Sequence, residues 1–162
     1  MSQPVVFAAP ADVEMAPAPI PSHWIVEGTP QAHAKRLSTS ADGTAAIIAW
    51  SCTPGRFHWH YNSDEIAHVI SGEVVLIDQN GVSRRVGAGD MMYFPAGSSI
   101  HWHVTQEIRK IAICRQHMPL PFGFALRAWN KLVGILSGSD EEGDVPETNS
   151  SARSGAEGAI AA

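Results

Sequence analysis

Two histidines stand two residues apart, His58 and His60, and Glu65 follows them across the turn-prone Asn62-Ser63-Asp64. On a strand, residues i and i+2 leave the same face, so both imidazoles can converge on one ion while Trp59 points the other way. A carboxylate at the start of the next antiparallel strand can join them. Two imidazoles and a carboxylate suit a borderline divalent ion such as iron, manganese, nickel, copper or zinc, with positions left open for water or substrate. Taken singly, each residue has a plainer reading: a strand histidine is commonly a hydrogen-bonded or surface residue, and Glu65 an ordinary turn charge. The combination is what points to a metal.

The elements that must position these residues are short β-prone runs separated by Gly, Pro, Asn and Asp. AAIIAWSC (45–52) ends at Thr53-Pro54-Gly55, FHWHY (57–61) ends at Asn62, and EIAHVIS (65–71) ends at Gly72. EVVLID (73–78) meets the hairpin signal Asn80-Gly81, and VSRRV (82–86) returns toward Gly87-Ala88-Gly89-Asp90. MMYF (91–94), IHWHV (100–104) and IRKIAIC (108–114) complete the series. Regular short strands with no helical pattern between them predict an all-β antiparallel sandwich or barrel. The period changes only in FGFALRAWNKLVGIL (122–136), where Leu126, Trp129, Leu132, Val133 and Leu136 fall on one stripe and predict a C-terminal amphipathic helix that packs on the barrel or on a neighbouring subunit.

The chain has 162 residues, enough for one domain with a proper core. Residues 1–21 are Pro/Ala-rich and the tail 137–162 is Gly/Ser/Ala-rich and acidic, so both are expected to be flexible around a core domain of 22–118 and a helix within 119–136. A net charge of -5 gives no footprint for nucleic acid. The first twenty residues carry Asp12, Glu14 and four prolines and do not read as a signal peptide, and no apolar run approaches a membrane span, so a cytoplasmic protein with no membrane partner is expected. Cys52 and Cys114 lack any CxxC spacing and read as small core residues.

HWHYNSDEIAHVISG (58–72) has the order His-x-His, four residues, Glu, six residues, Gly, and resembles the first cupin motif; GDMMYFPAG (89–97) resembles the second. The wording over about residues 24–117 is similar to the ethanolamine-utilisation and ureidoglycine branch of cupins. The resemblance implies a jelly-roll barrel (a double-stranded β-helix), commonly paired as a homodimer, with a metal at its wider mouth held by His58, His60, Glu65 and a histidine of the second motif. That histidine belongs three residues after the Pro-x-Gly glycine, where this sequence has Ile100. A bulge at Ser98-Ser99 would slide His101 into the ligand position and set His103 behind it. Without the slip, Ile100 and Trp102 face inward and both histidines point outward.

Around the expected mouth, Tyr93 and Tyr61 are candidates for a phenolic acid or wall residues, and Glu65 for handling protons. Arg56 could clamp a carboxylate or be solvated, and His68, three residues beyond Glu65, should face away from it. Arg84, Arg85, Arg109 and Lys110 read as strand charges facing solvent or a partner. The resemblance therefore implies a metal-dependent enzyme acting on a small organic molecule, of dioxygenase, lyase or isomerase type. The alternatives are a non-catalytic module that binds a small ligand with or without a metal, and a purely structural barrel whose imidazoles are satisfied by hydrogen bonds.

Overall fold

A computed structural model describes residues 4–116 together with Ala125, Ala128, Trp129, Lys131 and Leu132. The chain divides into the units Met1–Met118 and Pro119–Ala162, and the first carries everything that follows. Apart from those five positions, the helix expected over 122–136 and the tail from Ser137 lie outside the described residues.

Among the described residues, nine strands form one curled sheet: β1 (Ala16–Pro17), β2 (Ile25–Glu27), β3 (Ala32–Thr39), β4 (Ala45–Cys52), β5 (Gly55–His60), β6 (Asp64–Ile77), β7 (Ser83–Gly87), β8 (Met91–Phe94) and β9 (Ser99–Arg115). The strand-and-turn rhythm of the sequence is thus the architecture, and all ladders are antiparallel. The two long strands β6 and β9 pair along their length. The first half of β9 also pairs with β5 and its second half with β4, while β6 pairs with β8 and then β7. Within the stretch expected to be flexible, Ala16 and Pro17 pair with Ala34 and His33, and Ile20 is buried in the core.

Inward residues alternate with outward ones, as a sheet with one buried face requires. Phe57 on β5, Ala67 and Val69 on β6, Phe94 on β8, and Trp102, Val104 and Ile108 on β9 form the core with Trp50 and Cys52 of β4. On β6 the phase changes from odd to even, since Val74 and Leu76 are buried beyond the bend. The ladder to β9 is irregular between Val69 and Val74, which absorbs the step. Gly72 sits there with φ +85°, and a Cβ on it would lie 2.0 Å from the Glu107 carbonyl oxygen. Only glycine lets the two long strands approach so closely at a left-handed position.

No helix among the described residues is long and apolar enough to cross a membrane.

Candidate interior site

The alternation along β5 decides which side chains enter the sheet. Phe57 is fully buried and Trp59 packs against the core, so His58 and His60 leave by the outer, exposed face. Burying a large aromatic side chain is worth about 1.5–3 kcal/mol, and an imidazole gains less from leaving water, so the aromatic phase wins. The expected convergence of His58 and His60 with Glu65 is therefore not formed: Glu65 faces inward and is 8% exposed, on the other side of the sheet.

The register of β9 against β5 runs unbroken as Ile100 opposite Trp59, His101 opposite His58, Trp102 opposite Phe57 and His103 opposite Arg56. No extra residue enters at Ser98-Ser99, so the bulge that would have turned His101 inward does not occur. Trp102 and Val104 are buried, and His101 and His103 share the outer face with His58 and His60. There the His58 and His101 rings stack with centroids 4.6 Å apart, and His60 Nδ1 lies 2.7 Å from Ser99 Oγ. Burial, then the neighbouring His58, Arg56 and His103, hold the His101 pKa below its ordinary value. Among the described residues, no group of three His, Cys, Asp or Glu side chains is gathered as a metal would need.

Tyr93 also lies elsewhere than expected. On β8, Phe94 takes the inner position and Tyr93 the outer one, where its hydroxyl donates to Asp64 Oδ1 at 3.4 Å. Arg56 pairs with Glu27 at 2.9 Å, and His68 is exposed, facing away from Glu65 as its spacing predicts.

What gathers inside is a different set. Glu65 meets the ammonium of Lys110, which is 5% exposed, so this strand charge is a core residue and not the solvent-facing one its type suggests. Lys110 shares the inward phase of Ile108 and Ala112 and stands opposite Trp50 on β4 and Val69 on β6. Its Nζ lies 5.0 Å from the Trp50 ring centroid and 4.9 Å from that of Trp102, cation–π distances that help to hold a charge out of water. Cys114, opposite Glu65 on β9, places its thiol 3.7 Å from Glu65 Oε2.

Tyr61 and Trp102 complete the cluster. Tyr61 stacks on Phe94 at 4.4 Å, and burial, then Glu65, push its phenol well above its ordinary pKa, so it stays protonated. The Trp102 indole N–H faces the Tyr61 hydroxyl and opposes that rise as a hydrogen-bond donor, yet the two close no well-formed hydrogen bond, and Tyr61 Oη and Trp102 Nε1 are both buried without another partner in the protein. A buried donor without an acceptor costs about 1–3 kcal/mol, so two in one place call for an explanation.

Nucleophilic thiol chemistry does not fit here. Burial, then Glu65, raise Cys114 to about 11, and burial, then Glu107, raise Cys52 to about 12, so both are protonated near neutral pH. The arrangement instead offers one paired cation and two unpaired donors to an acceptor oxygen.

Residues 39–112 match the family model of the EutQ-like cupin domain. A protein of unknown function in the DUF861 family, from Pseudomonas syringae pv. tomato, is similar at 26% identity and TM-score 0.59, over 64% of this chain and 45% of that one. The EutQ protein of Clostridium difficile is 25% identical with TM-score 0.49, over 54% of this chain and 70% of that one. A Thermotoga maritima protein described as a predicted oxalate decarboxylase shares the fold at 17% identity and TM-score 0.54, over 70% of this chain and 99% of that one. No curated protein matches the chain in sequence.

Proposed function

We propose that the curled sheet, whose residues 39–112 match the model of the EutQ-like cupin domain, closes as the jelly-roll barrel of that family and serves as a metal-independent binding module for a small molecule carrying a carboxylate or carbonyl oxygen. The observation that carries this reading is the pair of orphaned donors, Tyr61 Oη and Trp102 Nε1, buried beside the Glu65–Lys110 pair.

Cupins often hold a metal, and the residues here do not fit one. A divalent ion at Glu65 would have to displace the Lys110 ammonium already in contact with it. The other groups nearby are a phenol and a thiol whose pKa values are raised, and an indole N–H. Protonated donors present hydrogens where a cation needs lone pairs. An oxygen acceptor suits them: it would satisfy the phenol and the indole, and the ammonium, already neutralised by Glu65, would still attract negative charge at short range.

Within the site each residue has a distinct task. Tyr61 and Trp102 bind and orient the acceptor oxygen, Glu65 fixes the position of Lys110, and the surrounding Phe57, Phe94 and Trp50 rings exclude water. Two neutral donors in a dry site also stabilise charge that develops on a bound oxygen, which is the chemistry open to this module should its ligand be a substrate.

Calorimetric titration of the full chain with propionate and, separately, propionamide tests the reading. Saturable binding of propionate at about 1 mM or tighter, weakened roughly tenfold in Tyr61→Phe, is the expected result. Heats indistinguishable from dilution for both compounds would contradict it.

A further inference from the structure

One inward row crosses three adjacent strands and ends on a charge. Trp102 on β9 stands opposite Leu76 on β6, and Leu76 stands opposite Arg84 on β7. Trp102 and Leu76 are buried, and so is Val86, two residues beyond Arg84 on the same strand. Alternation therefore sends Arg84 off the inner side of β7. Its neighbour Arg85 takes the outer side and pairs with Glu73 at 2.7 Å. Arg84 is exposed and makes no ion pair among the described residues. Its guanidinium thus shares the phase of the core, at the end of the row that carries one of the orphaned donors, and is free to take an anion.

Arg84 also lines a groove of about 280 Å³, at the low end of small-ligand pockets. Leu76, Val86, Met92, Phe94 and Ile100 give it apolar walls. Asp78 borders it too, but Asp78 Oδ1 accepts the backbone N–H groups of Asn80 and Val82, at 2.8 and 2.9 Å, and so holds the turn between β6 and β7. The groove and the interior donors share a wall. Phe94 stacks on Tyr61 at 4.4 Å, its ring centroid is 6.0 Å from that of Trp102, and Leu76 is the cross-strand neighbour of Trp102. Two strand spacings of about 4.8 Å separate the Trp102 and Arg84 backbones, about 10 Å in all.

Building on the interior oxygen site argued above, we propose that its ligand is a dicarboxylate with an apolar middle. One carboxylate accepts from Tyr61 Oη and Trp102 Nε1, the other from the Arg84 guanidinium, and the methylene chain between them lies along Leu76 and Phe94. Met92 and Ile100 are only half-buried, and an unbranched methionine yields by a change of rotamer, which gives the chain a way in. A planar guanidinium meets a carboxylate through two parallel N–H bonds, so the outer end selects that group over an alcohol or an amide. A monocarboxylate leaves Arg84 to water, and a dicarboxylate without the methylene chain is too short to reach both ends.

Calorimetric titration of the full chain with propionate, hexanoate and adipate tests the second anchor, since hexanoate and adipate differ only in the far carboxylate. Adipate should bind about fivefold or more tighter than hexanoate, a gain scaled to a partly exposed ion pair. Arg84→Gln should abolish that gain and leave hexanoate affinity unchanged. Arg85→Gln, which removes the same charge from the outer face, should preserve it. Both arginines are exposed, and a far-ultraviolet dichroism spectrum like that of the wild type verifies the fold of each variant. Three results overturn the anchor at Arg84 while the interior site stands: propionate and hexanoate bind but adipate gains nothing, the gain survives Arg84→Gln, or it is lost equally in Arg85→Gln. Heats indistinguishable from dilution for all three acids overturn the interior site and the anchor together.

Discussion

The Lys110 ammonium rests against the Glu65 carboxylate inside the sheet, with side chains only 6% and 11% exposed. Two charges so far from water persist only because each neutralises the other. Lys110→Met should therefore cost about 3–5 kcal/mol of unfolding free energy, and Glu65→Gln a similar amount. The double variant should recover much of that loss, because no uncompensated charge remains. Urea unfolding of the four proteins checks it; additive losses would mean that the two residues act separately.

Tyr61→Phe separates binding from stability. Removing a hydroxyl that has no partner in the protein should leave stability unchanged or raise it by about 1 kcal/mol, while carboxylate affinity falls. A loss of both would indicate a hydroxyl satisfied within the fold. Thermal unfolding with and without propionate measures the two effects together.

Acid sensitivity should come partly from the outer face. The pKa of His101 is lowered from 6.5 in the folded chain, so as pH falls below 6.5 the unfolded chain takes up this proton first. The stability contributed by the neutral ring is complete above 6.5 and is lost as pH falls toward the folded value. His101→Gln should flatten that part of the decline in urea midpoint between about pH 7.5 and about pH 5. An unchanged slope would remove His101 from the explanation.

Gly72→Ala should be among the most damaging single changes, because its Cβ would sit 2.0 Å from the Glu107 carbonyl oxygen at a left-handed φ. A loss of about 3 kcal/mol or more, or failure to fold, is expected, since backbone must move to admit the methyl group. Denaturant unfolding of the purified variant reads it directly.

The strand order and turns were legible because alternation and Gly/Pro/Asn punctuation are local signals, and the two motif-like segments pointed to the cupin family that residues 39–112 match. The site was not, because FHWHY carries two alternating sets, histidines and aromatics, and spacing alone does not say which faces inward. The deciding signal was present in the apolar triples Phe57-Trp59-Tyr61 and Ile100-Trp102-Val104, whose phases place all four histidines on the outer face, His58 and His60 exposed and His101 and His103 partly covered. Lys110 was legible in the same way, since it keeps step with Ile108, Ala112 and Cys114. Its partnership with Glu65 was not, because those residues meet only once β6 and β9 lie side by side.

The identity of the cation at Glu65 is the central question, and elemental analysis answers it most directly. The full chain, grown in metal-replete medium and purified without chelator or affinity tag, would be assayed for iron, manganese, nickel, copper and zinc. With Lys110 as the resident cation, total metal should stay well below about 0.1 per chain. Roughly one transition metal per chain, lost in Glu65→Gln, would contradict it.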